Sequence, residues 1–367
     1  MSDATHEIQR SLLAWYNLHR RTLPWRGLRD PYGVWVSEIM LQQTRVETVM
    51  AYFQRWMERF PTVQALAAAD LADVLKVWEG LGYYSRARNL HKAAQVVVAE
   101  HGGQLPRAAQ GLRTLPGVGR YTAGAIASMA YGQDEPAVDG NIARILARVR
   151  AVRGDIKSPA VQRRLWQAAH ELMPPGRAGE FNQALMDLGS AVCRPRNPDC
   201  PGCPLAEHCL AHARNLQHRL PTPIRAKPLP HVDIVVGVIL RRAAGRWKLL
   251  IARRPETAML GGLWEFPGGK LQPGETHEQA LIREIREEVA LDAAVLGPLC
   301  TVKHAYSHFR ITLHAYRCRP LAGQAKPLHS TAVQWVTLAE LPQFAFPRAN
   351  TRVLTALNAW AREANDE

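Results

Sequence analysis

The spacing of apolar residues changes once along this chain, and that change limits the fold more than any single motif does. From Ile8 to Ala191 apolar residues recur every three or four positions. They do so in IQRSLLAWYNLH, RVETVMAYFQRWMERF, LADVLKVWEGLGYY, ARNLHKAAQVVVAEH, VQRRLWQAAHELM and FNQALMDLGSAV. That is the period of helices burying one face. Runs of alternating Val, Ile and Thr are missing there, and Pro61, Gly102-Gly103 and Pro174-Pro175-Gly176 punctuate the segments. Residues 213–230, ARNLQHRLPTPIRAKPLP, hold four prolines and several basic residues but no apolar stripe, which reads as an extended linker. Beyond it IVVGVIL, WKLLIAR and ITLHAYRC read as strands, with ETHEQALIREIREEVAL and NTRVLTALNAWAREA as helices. The expectation is an all-α domain over 1–212, a linker over 213–230 and an α+β domain over 231–367.

A length of 367 residues agrees with two domains. The formal net charge of +14 points to a polyanionic partner, most simply nucleic acid. No apolar run is long enough to span a bilayer. The opening MSDATHEIQR lacks the basic region and apolar stretch of a secretory signal. The reading is a soluble, cytoplasmic, nucleoid-associated monomer with no membrane partner.

Within the helical half, Leu115-Pro116-Gly117-Val118-Gly119 is a glycine hairpin followed by Arg120 and Tyr121. Glycine tolerates the backbone angles such a turn needs, so the hairpin can aim backbone N–H groups at a phosphate. One short helix later come Asp139, Gly140 and Asn141, where a bound nucleic acid would expose its sugar. Glu38 lies among Trp35, Val36, Ile39 and Met40; desolvation there would raise its pKa and suit it to general-acid work. Taken singly, Glu38 is an ordinary helix carboxylate and Asp139 a turn or helix cap. Together beside a DNA-binding hairpin they supply an acid for a leaving base and an anion for a cationic sugar, the two-carboxylate logic of glycosidic cleavage. The base must first leave the stack, and Gln42, Gln43 and Tyr83 are polar or aromatic groups able to enter the gap. Tyr121 stands where a lysine would supply the amine for Schiff-base chemistry; its phenol argues for base removal without strand cleavage.

Four cysteines crowd into residues 193–209 as C-x6-C-x2-C-x5-C: Cys193, Cys200, Cys203 and Cys209. Four thiolates so close suit one iron–sulfur cubane better than one zinc ion, in a structural role. Cys300 and Cys318 stand apart and read as small buried hydrophobes.

The segments LPWR, VSEIMLQQT, GLGYYSRARNLHKAA, LPGVGRYTAGAI, AVDGN, FNQALMDLGSAVC and the cysteine spacing resemble the adenine DNA glycosylases of the MutY type, over residues 8–215. That family belongs to the helix-hairpin-helix, iron–sulfur superfamily shared with endonuclease III. The resemblance implies that Glu38 protonates the departing adenine, that Asp139 stabilises the oxocarbenium ion, and that Tyr121 and Asn141 support them. It implies that Leu115, Gly117, Gly119 and Arg120 grip DNA while Gln42, Gln43 and Tyr83 fill or distort the duplex. The substrate implied is duplex DNA with adenine opposite 8-oxoguanine or guanine, and the cofactor a [4Fe–4S] cluster on the four cysteines. Ala143 replaces a lysine of some relatives, which bears on trapping of the abasic product rather than on base removal. A bifunctional glycosylase/lyase of the endonuclease III kind is the alternative.

From Gly269 the chain fits the Nudix pattern except at its last glycine, here Ala290. Glu284, Glu287 and Glu288 share a helix face and would hold a cation such as Mg²⁺, with Arg283 paired to Glu275. In adenine glycosylases the C-terminal domain resembles the Nudix hydrolase MutT yet recognises 8-oxoguanine. Here Tyr306, Ser307 and His308 resemble that family's Phe-Ser-His loop. Both readings of this half, recognition and nucleotide hydrolysis, stand at this point.

Overall fold

The computed structural model describes residues 3–28, 30–222 and 228–363. Residues 1–2 and 29 of the expected first domain, 223–227 of the expected linker and 364–367 of the expected second domain lie outside the described residues. By its internal contacts the chain divides into two compact units, Met1–Ala68 with Asn89–Ala226, and Ala69–Arg88 with Lys227–Glu367.

The helices in order are α1 (Asp3–His19), α2 (Pro31–Leu41), α3 (Val46–Arg59), α4 (Val63–Ala68), α5 (Leu71–Trp78) and α6 (Ser85–Glu100). Then come α7 (Ala109–Leu112), α8 (Arg120–Met129), α9 (Gly140–Val149), α10 (Pro159–Leu172), α11 (Ala178–Ala191) and α12 (Leu210–Ala213). In the first unit α1, α9, α10 and α11 share a core of Leu12, Ile142, Leu146, Leu165, Phe181 and Leu188, all buried. Side chains of this kind stabilise by about 1.5–3 kcal/mol each when fully buried. Helix α2 has no amphipathic stripe because it is enclosed on every side, from Tyr32 to Met40. Its start is fixed instead by Asp30, whose carboxylate accepts the N–H groups of Tyr32 (3.1 Å) and Gly33 (2.9 Å), with Pro31 in the first turn.

The second unit carries β1 (His231–Ala243), β2 (Arg246–Arg253), β3 (Trp264–Glu265), β4 (Gly268–Lys270), α13 (His277–Val289), β5 (Asp292–Ala305), β6 (Arg310–Ala322), β7 (Ala332–Thr337) and α14 (Arg348–Glu363). The sheet order is β3-β2-β1-β6-β5, with β4 also pairing β1 and β7 pairing β2. Strands β1 and β6 run parallel; their partners run antiparallel. One sheet face packs Val236, Val238, Phe266 and Leu313 against Val353 and Leu357 of α14. The opposite face packs Val235, Ile239 and Cys318 against Leu281 and Ile285 of α13.

Helix α13 opens with a complete capping box, Thr276 and Gln279. It closes at Ala290 with φ 55°, in the left-handed region that favours glycine, so the departure from the Nudix pattern falls where the backbone asks for one. Strand β5 escapes a period-two reading because Gly297-Pro298 interrupts it and the register slips at three places. Segment 69–88 joins this unit through named bonds. Lys76 Nζ donates to Phe344 O (2.9 Å), the Phe346 N–H to Glu79 Oε1 (2.8 Å) and Arg88 Nη1 to Gly261 O (2.7 Å). Among the described residues no helix is long and apolar enough to cross a membrane.

Candidate active site

Three elements of the first unit bring the expected catalytic residues together. Near the end of α2, Glu38 is 3 % exposed. At the start of α8, Tyr121 donates its hydroxyl to Glu38 Oε2. Asp139 caps α9, with Oδ1 accepting the Ile142 N–H at 2.7 Å and Oδ2 accepting from Asn141 Nδ2 at 3.2 Å. The cap and the candidate anion are therefore one residue.

Burial pushes the Glu38 pKa up to about 7; the Tyr121 hydrogen bond opposes this and the Asp139 charge reinforces it. Asp139 is also raised by burial, against the Ile142 and Asn141 hydrogen bonds that favour its ionised form. One carboxyl is thus held near neutrality and the other sits among donors, the separation of environments that divides acid from anion. Tyr121 is raised well above the usual phenol range by burial and then by Glu38, so it stays a donor.

Glu38 lines a cavity of about 260 Å³ with Trp25, Arg26, Ser37, Glu180 and Gln183. Arg26 is fixed over that cavity by Asp187, with Nη2 donating to Oδ1 at 2.7 Å, and Arg21 Nε joins the same oxygen at 2.7 Å. Apart from Glu38, the sequence reading assigned none of these cavity residues. Trp25 and Arg26 lie inside LPWR, and Gln183 and Asp187 inside FNQALMDLGSAVC, whereas Glu180 lies in neither.

The hairpin forms as the glycines require. Val118 N donates to Leu115 O (3.1 Å), Gly117 adopts φ +77°, and Gly119 is the residue before α8. A Cβ on Gly117 would stand 2.6 Å from Asn89 Cβ, whereas Gly119 faces open space. The first N–H groups of α8 have no partner within the helix and point outward from its positive end. Arg120 follows, stacked 3.8 Å from the Trp166 ring centroid. Leu115 is a core residue, 2 % exposed, so its side chain anchors the turn. Gln42 ends α2 and donates to Thr122 Oγ1 at 3.3 Å, and Gln43 holds φ 58°.

From Asp139 a chain of bonds runs to the cysteines. Arg144 Nη2 donates to Asn141 Oδ1 (2.9 Å) and its Nε to Cys193 O (2.9 Å). Buried Arg148 donates to Cys193 Sγ at 3.2 Å and to Arg194 O at 2.8 Å. Cys193, Cys200, Cys203 and Cys209 are all free thiols. Burial raises Cys200, Cys203 and Cys209, and each of these is raised further by charge on neighbouring cysteines. Among the described residues no three His, Cys, Asp or Glu side chains are grouped to hold a metal ion. A cubane spaces its thiolates farther apart than a single ion does. The all-thiol donor set, with an arginine on one sulfur, therefore fits an iron–sulfur cluster.

In the second unit the Nudix carboxylates are balanced from within. Arg283 pairs with Glu275 (2.7 Å), Glu284 (2.9 Å) and Glu287 (3.1 Å), as expected for Glu275. Glu288 accepts the Gly268 N–H at 3.0 Å, and burial, then the Glu265 charge, pushes it up to about 8. Arg283 therefore offsets part of the repulsion among these carboxylates.

The same unit holds a cavity of about 590 Å³ lined by Tyr83, Arg88, Tyr306, Ser307, His308 and Arg348, among others. Tyr83, at φ 49°, shares a hydrogen bond with Ser307. Tyr306 N donates to Phe309 O (2.9 Å), closing a turn that leaves Ser307 and His308 exposed. The Tyr306 ring stacks on Phe309 with centroids 5.0 Å apart, so it supports the turn from beneath.

Residues 36–171 match the model for HhH-GPD superfamily base excision DNA repair proteins, and residues 235–356 match the NUDIX domain model. The chain is 40 % identical to the adenine DNA glycosylase of Rattus norvegicus, over 96 % of this chain and 78 % of that protein. It is 34 % identical to that of Buchnera aphidicola, over 94 % and 95 %. A solved thermostable thymine-DNA glycosylase is similar at a TM-score of 0.53 and 29 % identity, over 57 % of this chain and 97 % of that one. The chain belongs to the adenine DNA glycosylase family.

Proposed function

We propose that this chain hydrolyses the N-glycosidic bond of adenine mispaired with 8-oxoguanine or guanine in duplex DNA, without programmed strand cleavage. The observation that carries the reading is a carboxyl near neutrality, Glu38, facing a base-sized cavity one helix start away from the anion Asp139. Adenine turned out of the stack enters the cavity beside Trp25 and Arg26. Glu38 gives its proton to the base as the bond to the sugar breaks, and the electron pair leaves with adenine. The Tyr121 hydroxyl then stabilises the carboxylate that Glu38 becomes. Asp139 faces the positive charge on the sugar, oriented by Asn141 and the α9 cap. Water completes the abasic product.

The hairpin N–H groups and Arg120 hold backbone phosphate, and Gln42 and Gln43 enter the space the base vacates. Ser307 and His308 read the opposite base from the 590 Å³ cavity. Cys193, Cys200, Cys203 and Cys209 would hold a [4Fe–4S] cluster in a structural role, and Arg144 and Arg148 fix the Cys193 end of that loop. Nudix hydrolysis is the weaker reading, since Arg283 occupies Glu284 and Glu287.

The test is a single-turnover assay on duplexes differing only in the base opposite adenine. Adenine release should be fastest opposite 8-oxoguanine, then guanine, and leave an intact strand until alkali is added. Equal rates opposite every base, or covalent trapping by borohydride, would refute it.

A further inference from the structure

One surface of the second unit has no part in the proposed function: the tip of the hairpin between β1 and β2. Strand β6 pairs β1 only as far as Ile239, and β7 pairs β2 only as far as Lys248. Strands β1 and β2 stay paired with each other out to Ala243 and Arg246. The last rungs therefore form a two-stranded ribbon beyond the rest of the sheet. Ala244 (φ 49°) and Gly245 (φ 74°) close it, the positive-φ pair that suits a tight two-residue turn.

Residues 241–248 hold four cations, Arg241, Arg242, Arg246 and Lys248, and no carboxylate. Alternation along the strand puts the cations on both faces of the ribbon. The Arg241 guanidinium carbon stands 3.9 Å from the ring centroid of Trp335, which packs on the α13 side of the sheet. The Arg242 guanidinium carbon stands 5.5 Å from that of Trp247, which packs on the α14 side. Each guanidinium is thus steadied by a ring, so less freedom is lost when it meets a ligand. Arg241 lies directly across from Lys248, and a like-charge rung of this kind destabilises a hairpin. Glu340, held low by its Thr337 bonds and then by Lys248 and Arg246, answers part of the charge. An anion lying against the ribbon would answer the rest.

Cations on both faces of a narrow ribbon match a groove with a phosphate wall on each side. The major groove of duplex DNA, about 12 Å wide, admits such a ribbon. An acidic peptide laid along one face would leave the cations of the other face unmatched. His231, at the start of β1, pairs with Arg310, beside the turn that carries Ser307 and His308. The 13 residues of β1, at roughly 3.3 Å each, set the tip about 40 Å from that turn, the length of about 12 base pairs. We propose that the ribbon enters the major groove of the same duplex about 12 base pairs from the mispair, with its arginines on phosphates of both strands. The placement rests on Ser307 and His308 meeting the opposite base.

The test uses the full chain and duplexes with an uncleavable abasic analogue opposite 8-oxoguanine, flanked by about 8 or about 20 base pairs on each side. The parent should bind the longer duplex more tightly. A variant carrying Arg241→Ala, Arg242→Ala and Arg246→Ala should lose about tenfold on the longer duplex and less than about twofold on the shorter. On the longer duplex its slope of log affinity against log salt should become shallower by about two to three. Its adenine release from the shorter duplex should stay at the parent rate, which shows that the fold is intact. Equal losses on both lengths, or none on either, would overturn the proposal. Capture of a second labelled duplex without any length dependence would move the ribbon to a separate DNA segment and overturn the placement. Preference for polyglutamate over duplex, lost in the variant, would overturn the choice of partner. Adenine release at equal rates opposite every base would refute the proposed function while leaving the length dependence to be read.

Discussion

The hydroxyl of Tyr121, on the second residue of α8, donates to Oε2 of Glu38, which lies in the last turn of α2. The residue proposed to exclude Schiff-base chemistry thus also hydrogen-bonds the proposed acid. Its hydrogen bond favours the charged carboxylate, while burial favours the protonated form and wins, leaving Glu38 near a pKa of 7.

Adenine release should therefore fall as pH rises through about 7, because the protonated form does the work. In Tyr121→Phe the donor that favours the carboxylate is gone, so the basic limb should move to higher pH. Single-turnover rates between pH 5 and 9 check both statements, and a limb shifted downward in Tyr121→Phe would contradict them.

Gly117→Ala should weaken both fold and DNA binding. The position needs φ +77°, and the new methyl would stand 2.6 Å from Asn89 Cβ. A cost of roughly 1–3 kcal/mol is expected for such strain, read by denaturant unfolding. Gly119→Ala, at an open position with ordinary φ, should cost little stability.

Tyr83 and Ser307 should act as a pair in reading the opposite base, because they share one hydrogen bond at one cavity. Tyr83→Phe and Ser307→Ala should each reduce the preference for 8-oxoguanine over guanine. The double variant should lose little more than either single one. Fully additive losses would show that the bond carries no discrimination.

Cys203→Ser should leave the purified chain with far less iron than the roughly four atoms a cubane brings. Duplex affinity should fall with it, since Cys193 is tied through Arg144 to Asn141. Unchanged iron content would remove Cys203 from the ligand set.

Much of this arrangement is legible in the residues themselves. The hairpin, the α9 cap at Asp139 and the cysteine spacing are local signals, carried by glycine angles, cap chemistry and thiol density. The change from helical to strand period after residue 230 is equally local. Arg26 and Asp187 are not legible in this way: they meet across 161 positions, and only folding makes one orient the other. The same holds for segment 69–88, whose helical pattern gives no hint that Lys76, Glu79 and Arg88 bind backbone atoms of residues 261 and 344–346. Helix α2 hides for the opposite reason. It is apolar all round, so no stripe marks the face on which Glu38 stands. The Nudix box misleads in one respect, because sequence shows the three carboxylates but not how fully Arg283 engages two of them.

The central claim is that Glu38 is the acid, and Glu38→Gln tests it most directly. Glutamine keeps the shape and carries no proton to give. Folding should not suffer. The Glu38 pKa lies above its unfolded value, so its stabilising contribution is present below about 4.5 and lost as pH rises through about 7. The variant should therefore be at least as stable as the parent at pH 8. On a duplex with adenine opposite 8-oxoguanine, single-turnover adenine release should fall by roughly 10²–10⁴-fold while duplex affinity stays within a few-fold. Release at the parent rate from a variant that binds normally would contradict the account.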